Sequence, residues 1–169
     1  MYIIKLYFKK NKKVLKNLSK KESKYSYLFD EYYKLCDILE IKNDIRINLI
    51  NAYSNHNIKY LTELSENILP KLINKIKTFR NSVLFAWQKE NKNFGIEIQS
   101  IRLAGLIERL GFVKKVIKDY VDGKIDAIEE LEETNLSPKP ISDKYNGAGI
   151  FNNYEMNVTY GNITHRTYN

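Results

Sequence analysis

WQKENKNFGIEIQSIRLAGLIER, residues 87–109, is the stretch whose reading decides the fold. It joins the end of one amphipathic helix to the start of another. Trp87 closes the apolar stripe of the first, and Ile98 and Ile101 open that of the second. KENKNFG, between them, carries no helical period. Gly95 permits a tight turn or a left-handed conformation there. An interruption this short returns the chain as an antiparallel neighbour. Trp87, Glu90, Asn91, Phe94, Gly95, Glu97 and Arg102 crowd into this joint and are its candidate functional residues.

Outward from the joint, the same period recurs. Leu61, Leu64, Leu69, Leu72, Ile76, Val83 and Trp87 set a stripe over about Ile58–Lys89, with Pro70 inside it as a kink or new first turn. Leu28, Tyr32, Leu35, Cys36, Leu39, Ile45, Leu49 and Ala52 set another from near Lys24 to about Tyr53, where Asn43-Asp44 could break the helix in two. Ile4, Tyr7, Phe8, Val14, Leu15 and Leu18 make a first helix with lysines on its other face, and Ser23 is placed to cap the second. Ile98, Ile101, Gly105, Leu106, Leu110, Val113, Ile117 and Tyr120 carry the last long helix to a stop at Asp122-Gly123. A short acidic helix, Ile125–Glu133, should follow. Pro138, Pro140, Gly147, Gly149 and Gly161 then break any helix, and Tyr154 to Tyr160 alternate as a weak strand signal. The expected fold is all-α: an up-and-down antiparallel bundle of three to five helices over residues 1–133. The tail, 134–169, is irregular or turns a β-hairpin.

The bulk properties exclude several classes. A chain of 169 residues buries roughly 70% of its unfolded surface, so it needs no metal or disulfide scaffold. Cys36 is the only cysteine, which rules out an internal disulfide and reads as an inert helix-face thiol. No apolar run approaches the ~20 residues that cross a bilayer. The leading residues lack the order of a signal peptide, so the expected location is cytoplasmic. The net charge of +8 is accounted for by nine lysines and one glutamate in residues 1–24. The plainer reading is a solvated lysine face in a chain rich in Lys, Asn, Ile and Tyr together. Nucleic acid is not the expected partner.

No reaction centre emerges from the residue types. Cys36 and His56 would lie about 30 Å apart on a continuous helix, too far for nucleophile and base. Two histidines, His56 and His165, without a cysteine or carboxylate pattern make a poor metal site, and no cofactor is expected. Asp30-Glu31 are adjacent, so they point about 100° apart and do not converge on one bond; solvated surface acids are the expectation. Glu129, Glu130, Glu132 and Glu133 read the same way. Gly147-Ala148-Gly149 is too short to cradle phosphate, and the Asn157 and Asn162 glycosylation triplets are common in an Asn-rich chain. At the joint, Trp87 is expected to pack and Ala104-Gly105 to let helices approach. Arg102, four residues after Ile98, is expected on or beside the buried face, with Glu97, Glu90 or a loop carbonyl as acceptor.

The run W-x-K-E-N-K-x-F-G-x-E-x-x-x-I-R-L-x-G-L-x-x-R resembles the C-terminal helical domain of bacterial glycoside hydrolase family 20, the exo-β-N-acetylhexosaminidases. YSYLFDEYYKLCDILEIK (25–42) is similar to that domain's tyrosine-rich helix, and YVDGKIDAIEELEE (120–133) to its closing helices. The similarity covers about residues 2–133. The family's catalysis resides on a (β/α)8 barrel bearing an Asp-Glu pair after His-Gly-Gly, with the substrate's N-acetyl group as nucleophile. No Gly-Gly precedes Asp30-Glu31, and a barrel needs roughly 200 residues or more. No catalytic residue carries over.

The resemblance implies a non-catalytic accessory domain that packs on a catalytic barrel or on a homodimer partner, with Trp87, Asn91, Phe94 and Arg102 facing that partner or the sugar cleft. Two other readings stand beside it. One is a stand-alone helical interaction module. The other is a polyanion-binding protein led by the N-terminal lysines.

Overall fold

The computed structural model describes residues 2–21 and 23–132. The chain order is α1 (Tyr2–Ser19), α2 (Ser26–Ser54), α3 (Ile58–Glu63), a π-helical turn (Leu64–Ile68), α4 (Leu69–Glu90), α5 (Ile96–Val121) and α6 (Glu129–Glu132). Among the described residues there is no strand, and no helix is long and apolar enough to cross a membrane. The expected β-hairpin falls in the tail, outside the described residues.

Side-chain pairs fix the directions. Lys5 meets Asp44 at 3.1 Å and Lys12 meets Asp37 at 3.0 Å, so α1 and α2 run antiparallel. Tyr27 bonds Glu90, and Asp37 bonds Lys75, which sets α4 antiparallel to α2. Lys118 of α5 reaches Glu66 at 3.3 Å, and Ile107 packs with Ile76, which reverses the chain once more. The up-and-down bundle is therefore present, with α1 as a flank laid on α2.

The core lies between α2, α4 and α5. Ile38, Leu72, Ile76 and Ile107 form one cluster. Ala52, Tyr53, Leu61, Leu64, Leu69, Ile117 and Ile128 form a second at the end where α3 and the π-turn enter. Leu61, Leu64, Leu69 and Leu72 are fully buried, each contributing about 1.5–3 kcal/mol by leaving water. The Tyr53 hydroxyl accepts the Ile128 backbone N–H at 3.1 Å and ties the end of the chain's described part to α2.

Several expectations need correction. The single third helix is interrupted: a π-turn at Leu64–Ile68 precedes Pro70, which sits in the first turn of α4, where its missing N–H is tolerated. No break occurs at Asn43-Asp44: α2 runs through it, and Asp44 pairs with Lys5 of α1. Ser23 accepts from Tyr25 N at 3.3 Å, but it lies before the helix and does not cap it. Of the expected Ile125–Glu133 helix, only Glu129–Glu132 is helical among the described residues, since Gly123, at φ 69°, ends α5 and the chain then crosses to bury Ile128. The α1 stripe is only half used: Phe8, Leu15 and Leu18 are partly buried, while Ile4, Tyr7 and Val14 stay exposed. One lysine, Lys12, turns inward onto Asp37 and Glu40.

Candidate functional site

The joint between α4 and α5 closes on itself. Asn91 leaves the helix in an extended conformation, and its N–H donates to the Trp87 carbonyl at 2.8 Å. The Trp87 indole N–H donates to the Lys92 carbonyl at 2.9 Å. Gly95 sits at φ 91°, the left-handed conformation expected of it, directly before α5. A Cβ there would meet Trp87 Cζ2 at 3.6 Å, an ordinary contact. The requirement for glycine is therefore set by the backbone rather than by space.

Beside the joint, α2 and α4 contribute an aromatic and charged group. Glu90 accepts the Tyr27 hydroxyl. The Tyr27 and Phe85 rings meet edge to face at 6.2 Å, and the Lys89 ammonium lies 5.2 Å and 5.0 Å from their centroids. Sequence reasoning did not single out Tyr27, Phe85 or Lys89. The only available signal was the aromatic density of α2, which does not say which helix it faces.

Two expectations at the joint fail. Arg102 is exposed and makes no bond to Glu97 or Glu90; Glu97 is exposed too, and Glu90 is taken by Tyr27. The reason is that α5 is apolar on both faces. Ile98, from which Arg102 was placed, is half-buried and belongs to neither core cluster. Gly105 is also exposed, with nothing within 4 Å of an added Cβ, so it packs no helix within the domain. Phe94, at the tip of the joint, is 90% exposed.

Acids farther along α2 are less solvated than expected. Asp30 bonds Lys34 at 2.6 Å and accepts the Ser82 hydroxyl at 3.2 Å. Burial raises the Glu31 carboxyl above its ordinary pKa. Asp37 lies between Lys12 and Lys75. Burial pushes its carboxyl up, but the hydrogen bonds and charges of the two lysines outweigh that and hold it below the usual range. Lys12 mirrors it: burial lowers its pKa, yet bonds to Glu40 and Asp37 leave it raised. Burial raises the Cys36 thiol, with a smaller opposing effect from Lys12, so the reactive thiolate is disfavoured. Among the described residues, no group of three or more His, Cys, Asp or Glu is disposed to hold a metal.

These polar groups are spent on joining helices: α1 to α2, α2 to α4, and α4 to its own turn. The class so defined is an all-α domain with an inward polar framework and an exposed tip and outer face. The Glycoside Hydrolase 20C C-terminal domain model matches residues 2–149, so the chain belongs to that family. No curated protein matches the chain.

Proposed function

We propose that the chain serves as a non-catalytic C-terminal accessory domain of a family 20 β-N-acetylhexosaminidase-like glycoside hydrolase. It packs on the catalytic (β/α)8 barrel or on a dimer partner. The single observation that carries this is the family match over residues 2–149. The geometry supports it. Trp87, Asn91 and Gly95 shape the joint, which holds Phe94 out in solvent. Glu97 and Arg102 follow on the exposed side of α5. An apolar tip flanked by unpaired charge suits a partner or the rim of a sugar cleft.

The test is incubation of the pure chain with a chromogenic N-acetylglucosaminide. No turnover is expected, and clear hydrolysis overturns the reading. A stand-alone interaction module is the second reading, favoured by the exposure of Phe85, Phe94 and Phe112. It predicts concentration-dependent self-association without any glycosidase partner, which sedimentation would detect.

A further inference from the structure

Among the described residues, two side-chain donors are buried without a hydrogen-bond partner, Asn43 Nδ2 and Arg80 Nε. Only Arg80 also lines a groove. That groove lies between α4 and α5 and has a volume of about 320 Å³. Lys77, Arg80 and Asn81 line it from α4, and Ala104, Ile107 and Glu108 from α5. Each set follows a three- and four-residue spacing, so each occupies one face of its helix. Ile107 belongs to the core beneath, and Ala104 adds only a methyl group.

The α4 side supplies donors almost alone. A guanidinium carries five N–H groups and no acceptor, an ammonium three, and an amide two. Glu108 is the only acid lining the groove, and among the described residues no ion pair joins it to Lys77 or Arg80. Two cations therefore face one acid, a balance of +1. Arg80 is half-buried, where an unpartnered N–H is costly and a charge-assisted hydrogen bond is strong. Lys77 and Arg80, three residues apart on one helix face, also repel each other. A water molecule would satisfy the buried N–H but leave that repulsion in place. An oxyanion satisfies the N–H and offsets the repulsion together.

We propose that the α4–α5 groove binds a small oxyanion, a carboxylate or a phosphate, held by Arg80 with Lys77 and Asn81. This site is independent of the accessory reading. Its volume lies at the lower end of the range for small-molecule sites, about 300–1,000 Å³. Glu108 fixes the ligand's polarity: its anionic group faces α4, and a second negative group facing α5 is rejected.

The experiment is thermal unfolding of the full chain with added inorganic phosphate or acetate, at an ionic strength matched with sodium chloride. The variants are Arg80→Met, Arg80→Lys and Glu108→Gln, with Lys71→Gln, on α4 but outside the groove, as control. An anion that binds the folded chain raises Tm in proportion to its occupancy. The wild-type chain and Lys71→Gln should show the same saturable rise over chloride, and the anion that produces it identifies the source. Arg80→Met should lose the rise. Arg80→Lys keeps the charge but not the buried Nε–H, and should need about tenfold more anion. It is also the safeguard if Arg80→Met misfolds. Glu108→Gln removes a like charge and should need several-fold less. No rise over chloride with either anion overturns the site. A rise that survives in Arg80→Met, or is undiminished in Arg80→Lys, reports general surface charge and overturns it too. An unchanged response in Glu108→Gln overturns the role given to Glu108.

Discussion

The Trp87 indole nitrogen donates to the Lys92 carbonyl at 2.9 Å, so the residue that ends the α4 stripe also pins the turn that follows it. The same ring lies 3.6 Å from where a Cβ on Gly95 would sit. Trp87→Phe keeps much of the ring but removes the donor. The expected loss is about 1 kcal/mol, the usual net value of one hydrogen bond. Urea unfolding of the two chains measures it. Faster amide exchange at residues 92–96 should accompany the loss, because the turn has no other indole anchor.

The two glycines of this region should respond in opposite senses. Gly95→Ala puts a side chain on a φ of 91° and should destabilise by about 1–2 kcal/mol. Gly105→Ala lies within α5 with nothing within 4 Å, so it should stabilise by about 0.5–1 kcal/mol through helix propensity. Denaturant midpoints at equal slope give both values. If both substitutions destabilise, Gly105 is not the open position described above.

The Lys12–Asp37–Lys75 cluster makes a pH prediction. Folding lowers the Asp37 pKa, so its contribution is complete above the unfolded value of ~3.9 and is lost as pH falls through the folded one. Folding raises the Lys12 pKa, so its contribution is complete below ~10.4 and is lost as pH rises through the folded value. Asp37→Asn should therefore cost stability at pH 7, on the order of 1 kcal/mol for a partly solvated pair. It should cost less at pH 2, below the unfolded value of ~3.9, because the contribution of the carboxylate is being lost there. Thermal unfolding at the two pH values tests this. An equal loss at both would assign Asp37 a packing role instead.

Much of the fold was legible because periodicity and punctuation agreed. The α5 bounds, Ile96 and Val121, lie between Gly95 and Asp122-Gly123, and both glycines adopt positive φ. The π-turn was not legible: Pro70 marks a change of backbone, but its sequence does not say how the preceding turn absorbs it. Arg102 was misplaced because two apolar faces on one helix give two self-consistent stripes, and the sequence does not say which one meets the core. Asp30, Asp37 and Lys12 look like surface charges along their own helices. Only the lateral order of α1, α2 and α4 brings them together.

The central claim is the proposed accessory role, in which Phe94 at the joint and Phe112 on α5 would be covered by a catalytic domain. Hydroxyl-radical footprinting of the isolated chain, and of the chain joined to a family 20 catalytic domain as the whole enzyme, measures that directly. Phe94, Phe112 and Tyr32 are 90%, 59% and 54% exposed in the chain alone, so all three should label. In the whole enzyme, Phe94 and Phe112 should lose most of their label while Tyr32, on α2, keeps its own. Undiminished labelling of Phe94 and Phe112 in the whole enzyme would contradict the account.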